Sequence, residues 1–176
     1  MQTTRGTALT PRPRHRVLFA SVACAAYALD QATKVWAVAN LAPGESKPLL
    51  GDLLQLTLTR NPGAAFSTAT GATQVLSVVA IVAFVTVIVV SRRIASPLWA
   101  VGLGSLLAGI SGNLTDRLLR APGPFRGHVI DFLQLPHWPI FNVADICIDI
   151  AAGVIILQAI RGIGLDGERQ PAEAEA

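Results

Sequence analysis

Charge is scarce in this sequence. Only 14% of its 176 residues are Asp, Glu, Lys or Arg, against a hydrophobic share of 52% and a mean hydropathy of +0.52. That balance excludes the surface of an ordinary soluble domain, where about a quarter of residues are charged. Cysteine is nearly absent: Cys24 and Cys147 both lie in apolar runs, make neither a disulfide framework nor a metal cluster, and read as small buried hydrophobes. His15, His128 and His137 are too scattered for a zinc motif. HExxH and Walker-type loops are missing, and no GxSxG surrounds Ser67, Ser77, Ser105 or Ser111. A basic face with interleaved aromatics is missing too, so the net charge of +3 does not point to nucleic acid.

What is present is long apolar runs. A bilayer core needs about 20 residues of helix, and four segments supply them, at 17–37, 73–90, 98–114 and 143–160. The second, QVLSVVAIVAFVTVIVV, carries no charge at all. The first follows a basic stretch, as a cleaved signal peptide would, but it continues through Asp30 and Lys34 to Trp36 and is read as a retained anchor. Helix is preferred to strand because a helix satisfies its own backbone in hydrocarbon. Trp36, Trp99 and Trp138 fall near span ends, as interface anchors do, and Gly104, Ala108 and Gly112 form a small-residue face for close helix approach.

Arg5, Arg12, Arg14 and Arg16, then Arg92 and Arg93, then Arg161 and Arg169 all fall on one side of an even number of spans. The positive-inside rule makes that side cytoplasmic, with both termini there. Residues 1–16 form a cytoplasmic extension, 17–162 the membrane domain and 163–176 a polar tail with Asp166, Glu168, Glu173 and Glu175. Outside lie a β region at about 40–70 and a proline-bearing loop at about 118–142. In the former, Leu54, Leu56 and Leu58 alternate with Gln55, Thr57 and Thr59, a strand with one apolar side resting at the membrane surface. The fold class expected is a membrane all-α bundle of four transmembrane helices with a small β element.

Polar residues stand where they are costly. Asp30 and Lys34 share a face by i, i+4 spacing and can pair. Asn113, Asp116 and Arg117 gather at the outer end of the third span, with Arg117 placed to neutralise Asp116 or to reach a carbonyl. Asp131 sits in GHVIDFLQL, and FNVADICIDI carries Asn142, Asp145 and Asp149. Two adjacent carboxyls that cannot both ionise cheaply are the means of activating water, and Asp131 with Asp145 is the candidate pair. A proton or solute pathway uses the same residue types, and a structural brace is a third reading of Asp30 and Lys34. Asp149 is expected to hydrogen-bond within the bundle.

Five stretches in order carry a resemblance: DQATK (30–34), NPGAAF (61–66), GISGNLTDR (109–117), VIDF (129–132) and FNVAD (141–145). Together they resemble the bacterial lipoprotein signal peptidases, or signal peptidase II. The resemblance implies an aspartic endopeptidase of the cytoplasmic membrane that cuts diacylglyceryl-modified prolipoproteins just before the lipidated cysteine. It places the catalytic pair on Asp131 and Asp145, and substrate-binding or orienting groups on Asp30, Lys34, Asn61, Asn113, Asp116, Arg117 and Asn142. It further implies an extracytoplasmic active site, a small β-sheet over residues 49–66 that cradles substrate, contact with membrane lipids, inhibition by globomycin-like cyclic peptides, no cofactor, and action as a monomer. The sequence departs from the family pattern in three places, one of them an N-terminal extension through Arg16 longer than many relatives carry. Ala108 stands for the first glycine of a GGxxGN motif, and the connection from Arg117 to Asp131 is longer and richer in proline.

Overall fold

The computed structural model describes residues 13–63 and 72–169. Residues 1–12, 64–71 and 170–176 lie outside the described residues, including Ala64, Ala65 and Phe66 of NPGAAF, most of the N-terminal extension and the end of the tail.

Helix α1 (Pro13–Asn40) leads into a hairpin of β1 (Ser46–Leu50) and β2 (Leu54–Asn61). Helices α2 (Ala72–Ser91) and α3 (Pro97–Leu119) follow, then strand β3 (Val129–Gln134) and helix α4 (Val143–Ile160). Among the described residues, three helices are long and apolar enough to cross a membrane: α2, α3 and α4. Helix α1 is the longest, at 28 residues, but Asp30, Gln31, Thr33 and Lys34 make its second half polar.

Half of the membrane-crossing stretch of α3 is buried against 11% of that in α2, so α3 is the post around which the bundle is built. Its glycines make this possible. A Cβ at Gly104 would meet the Phe19 carbonyl oxygen of α1 at 2.8 Å, and one at Gly109 would meet the Ala144 carbonyl oxygen of α4 at 2.5 Å. Backbones at such distances leave no room for a side chain. One apolar cluster, centred on Phe19, Val87, Ile94, Leu103 and Leu107, joins α1, α2 and α3. A second, of Ala37, Leu41, Leu58, Ile130 and Phe132, seats the sheet on the end of α1.

The sheet is antiparallel in the order β1-β2-β3. Strand β3 lies within the stretch read from sequence as a proline-rich loop. Pro122 and Pro124 precede it and Pro136 and Pro139 follow it, so VIDFLQ keeps every N–H needed to pair with β2. Thr59 faces Asp131 and Asn61 faces Val129 in that register.

Helix α4 is capped at both ends. Asn142 is the N-cap, and a reciprocal capping box links its side chain to the Asp145 N–H and the Asp145 carboxylate to the Asn142 N–H. At the far end Gly162 takes a left-handed φ of 64°. There the Ile163 N–H closes on the Gln158 carbonyl and the Gly162 N–H on the Ala159 carbonyl, a glycine-terminated Schellman arrangement.

Candidate active site

Chain geometry brings the nine polar residues singled out in the sequence, together with Gln31 and Arg120, into one connected network where the sheet meets the bundle. Its densest point is Lys34, fully buried on α1. The Lys34 ammonium lies 3.0 Å from Asp30 Oδ2 on its own helix and 2.8 Å from Asp116 Oδ2 on α3. It also donates to Asn113 Oδ1 at 3.0 Å. One cation between two carboxylates, all of them buried, persists only because every carboxylate oxygen finds a partner. Asp30 Oδ1 accepts from the Ala144 N–H at 2.9 Å, near the start of α4, and Asp30 Oδ2 accepts from Gln31 Nε2. Asp116 Oδ2 accepts from the Ile130 N–H at 3.2 Å, and Asp116 Oδ1 pairs with Arg120. The cluster thus grips the backbone beside each candidate catalytic carboxyl, one residue before Asp131 and one residue before Asp145.

Asp131 projects from β3 and is 2% exposed. Asn61, at the end of β2, donates to its Oδ2 at 2.9 Å, and Asn142 donates to its Oδ1 at 2.6 Å. Burial pushes the Asp131 carboxyl up to about 6, against the pull of those two amide donors, with the Asp145 charge adding to the rise and Lys34 opposing it. Asp145 is half-buried on the first turn of α4. Its Oδ1 accepts from Asn113 Nδ2 at 2.8 Å and its Oδ2 from the Asn142 N–H at 3.0 Å.

Two amides join the pair. Asn142 Nδ2 touches both Asp131 Oδ1 and Asn113 Oδ1, the latter at 3.2 Å, while Asn113 Nδ2 holds Asp145. A carboxyl from a strand and one from a helix terminus are therefore oriented by linked amides, with Asp145 the less buried of the two. Such an arrangement can hold a water and pass protons on either side of it.

Arg117 takes the second of the two roles open to it in sequence. Its Nη1 donates to the Asn113 carbonyl at 3.4 Å, while Asp116 is neutralised by Lys34 and Arg120 instead. Its buried Nε has no partner among the described residues, and the Asp145, Asp131 and Asp116 carboxylates all act on its guanidinium. Sequence reasoning missed Arg120, although Asp116 and Arg120 have the same i, i+4 spacing that paired Asp30 with Lys34. It also missed Gln31, which ties Asp30 to the Gly112 carbonyl at 3.2 Å. Asp149 corrects the expectation of an internal hydrogen bond. It is exposed and has no partner among the described residues, because α4 buries Ala144, Cys147, Ala151 and Gln158 on its other side.

Comparison with known proteins bears on this site. A family model described as signal peptidase (SPase) II matches residues 22–161. The lipoprotein signal peptidase of Mycobacterium avium (strain 104) is 49% identical over 173 residues, a match covering 97% of this chain and 95% of that one. The protein of the same name from Leifsonia xyli subsp. xyli (strain CTCB07) is 50% identical over 155 residues, covering 88% and 72% respectively. Among solved structures, a bacterial membrane enzyme matches with a TM-score of 0.75 at 25% identity, covering 89% of this chain and 99% of the other.

Proposed function

The chain belongs to the signal peptidase II family and is an aspartic protease, and we propose that it removes the signal peptide from diacylglyceryl-modified prolipoproteins, cutting before the lipidated cysteine. The observation that carries the mechanism is the pair of amides, Asn142 and Asn113, between the Asp131 and Asp145 carboxyls. The two carboxyls share one proton and hold one water. The ionised member takes a proton from the water as its oxygen attacks the scissile carbonyl carbon. The protonated member donates first toward the carbonyl oxygen and then, as the tetrahedral adduct collapses, a proton reaches the leaving amine. The C–N bond breaks to give a free carboxyl on the signal peptide and a free amino group on the lipidated cysteine. Burial makes Asp131 the member drawn toward holding the proton.

The substrate strand lies against β2, whose Asn61 end meets Asp131. Helix α1 is the fourth span; its polar half is turned into the bundle, where Asp30 and Lys34 are buried, so lipid need not solvate them. Both termini are cytoplasmic, and the sheet and active site stand at the outer face of the cytoplasmic membrane. Globomycin-like cyclic peptides block the cleft, and the monomer is the active unit.

The test is cleavage of a diacylglyceryl-modified prolipoprotein by purified protein. Asp131→Asn and Asp145→Asn are each expected to lose on the order of 10²–10⁴-fold in kcat while folding normally. Cleavage retained by both variants ends the two-carboxyl assignment; folded wild type that leaves the substrate intact ends the proposed activity.

A further inference from the structure

At the end of the bundle remote from Asp131 and Asp145, the chain folds back after α4. Ile163 pairs with Arg169 as an antiparallel bridge, and Gly164 donates to the Glu168 carbonyl at 2.9 Å. The turn is anchored to the α2–α3 connection by the Ala95 N–H donating to the Leu165 carbonyl at 2.9 Å. Trp99 Nε1 fixes it to α3 by donating to the Ile163 carbonyl at 3.1 Å.

Two concavities meet at Ile163. One, of about 230 Å³, lies between Arg161, Gly167 and Arg169. The other, of about 430 Å³, lies between Trp99, Gln158 and the 162–165 turn. Gln158 is 1% exposed, and its Oε1 has no hydrogen-bond partner among the described residues. A buried amide oxygen without a donor is costly, and its pocket lacks one group, a hydroxyl or N–H, that would relieve it. The guanidiniums of Arg161 and Arg169 make no ion pair or hydrogen bond with any described residue, although Asp166 and Glu168 stand in the same turn. The negative end of α4 does not repel an anion strongly here, because its last carbonyls are closed by the turn's own N–H groups.

We propose that these two neighbouring concavities, which share Ile163 as a wall, bind the headgroup of one anionic phospholipid whose headgroup carries free hydroxyls. The phosphodiester sits between the two guanidiniums, which suit its paired oxygens. Gln158 turns its amide into the concavity that it lines, and a headgroup hydroxyl then donates to its Oε1. Exposed Ile156, Leu157 and Ile160 continue the apolar wall along α4 and give the acyl chains a surface, which a soluble phosphate would not use. Trp99 beside the headgroup marks the depth of the interface.

Native mass spectrometry of the full chain in detergent, titrated with phosphatidylglycerol, phosphatidic acid, phosphatidylcholine or inorganic phosphate, tests this. Phosphatidylglycerol is expected to add once, saturably and at least about ten times more tightly than phosphatidylcholine. The Arg161→Gln, Arg169→Gln double variant should lose at least about tenfold in that affinity. Gln158→Leu should weaken phosphatidylglycerol several-fold while leaving phosphatidic acid, which lacks the headgroup hydroxyls, unchanged. Gln158→Met serves the same purpose if the leucine variant folds poorly, with peptidase activity and melting temperature as controls for fold. Equal retention of phosphatidylglycerol and phosphatidylcholine, an unaffected double variant, an unaffected Gln158 variant, or displacement of the lipid by inorganic phosphate would each overturn the assignment.

Discussion

At the scale of single residues, Asp131 shows how burial and hydrogen bonding oppose each other at one carboxyl. Lifted from the ordinary 3.8 to about 6, it binds its proton more tightly in the folded protein than in the unfolded chain. Its contribution to stability is therefore greatest at low pH and is lost as pH rises from about 4 to about 6. The kcat/KM profile is expected to show a limb near pH 6, where this group enters its titration. Asn61→Leu removes a donor that favours the ionised form and should move that limb upward, so an unmoved limb would mean that Asp131 does not set it. Asn113 is a positioning residue, since its amide connects Lys34, Asn142 and Asp145. Asn113→Leu is expected to lower kcat about 10²-fold with KM little changed, the mark of carboxyls misplaced by a fraction of an ångström. A rise in KM alone would instead make it a substrate contact.

At the scale of elements, buried charge fixes α1 against α3. Lys34→Met leaves Asp30 and Asp116 fully buried without their common cation, and should destabilise the protein by ~3–5 kcal/mol, read as a lowered melting temperature in detergent. Arg120→Met should cost much less, because Arg120 is partly exposed and Lys34 still neutralises Asp116. Equal losses in the two variants would contradict this ranking. The α3–α4 contact rests on a different device, close backbone approach. Gly109→Val puts atoms into the Ala144 carbonyl and Ile148, so it should both lower the melting temperature and reduce activity by displacing the first turn of α4, where Asp145 sits. The small-residue face read from sequence, Gly104, Ala108 and Gly112, meets α1 at Gly104, whereas Gly109 and Gly102 face α4. Periodicity identified a face for packing but could not say that α3 needs two of them, one for each neighbour.

At the scale of the whole molecule, orientation is a matter of charge. The arginines at 92–93 and 161–169 stand at one end of the bundle, and the sheet stands at the other. In a Cys24→Ser background, Asp52→Cys in the β1–β2 turn should react with a membrane-impermeant thiol reagent on intact cells. Arg93→Cys should react only after permeabilisation. The reverse pattern would invert the proposed topology. Leu49, Leu50 and Leu53, exposed around that same turn, put apolar side chains where an outer membrane surface would cover them.

Hydropathy was enough to find α2, α3 and α4, because a long run without charge has few alternatives to a membrane helix. Alternation was enough to find β2, whereas β3 was concealed by prolines that turned out to bracket the strand. The polar residues of the site were legible as residues out of place, and their short-range pairs, Asp30 with Lys34 and Asn142 with Asp145, follow from helical spacing alone. Their long-range partners do not. Asn61 meets Asp131 across 70 residues and Lys34 meets Asn113 across 79, contacts that depend on how closely the α3 glycines let α1 and α4 approach and on the register of β3. The sequence by itself determined which side chains must avoid lipid. Only the tertiary structure decided which of them would face one another, because that choice is made by packing between elements and leaves no local trace in the chain.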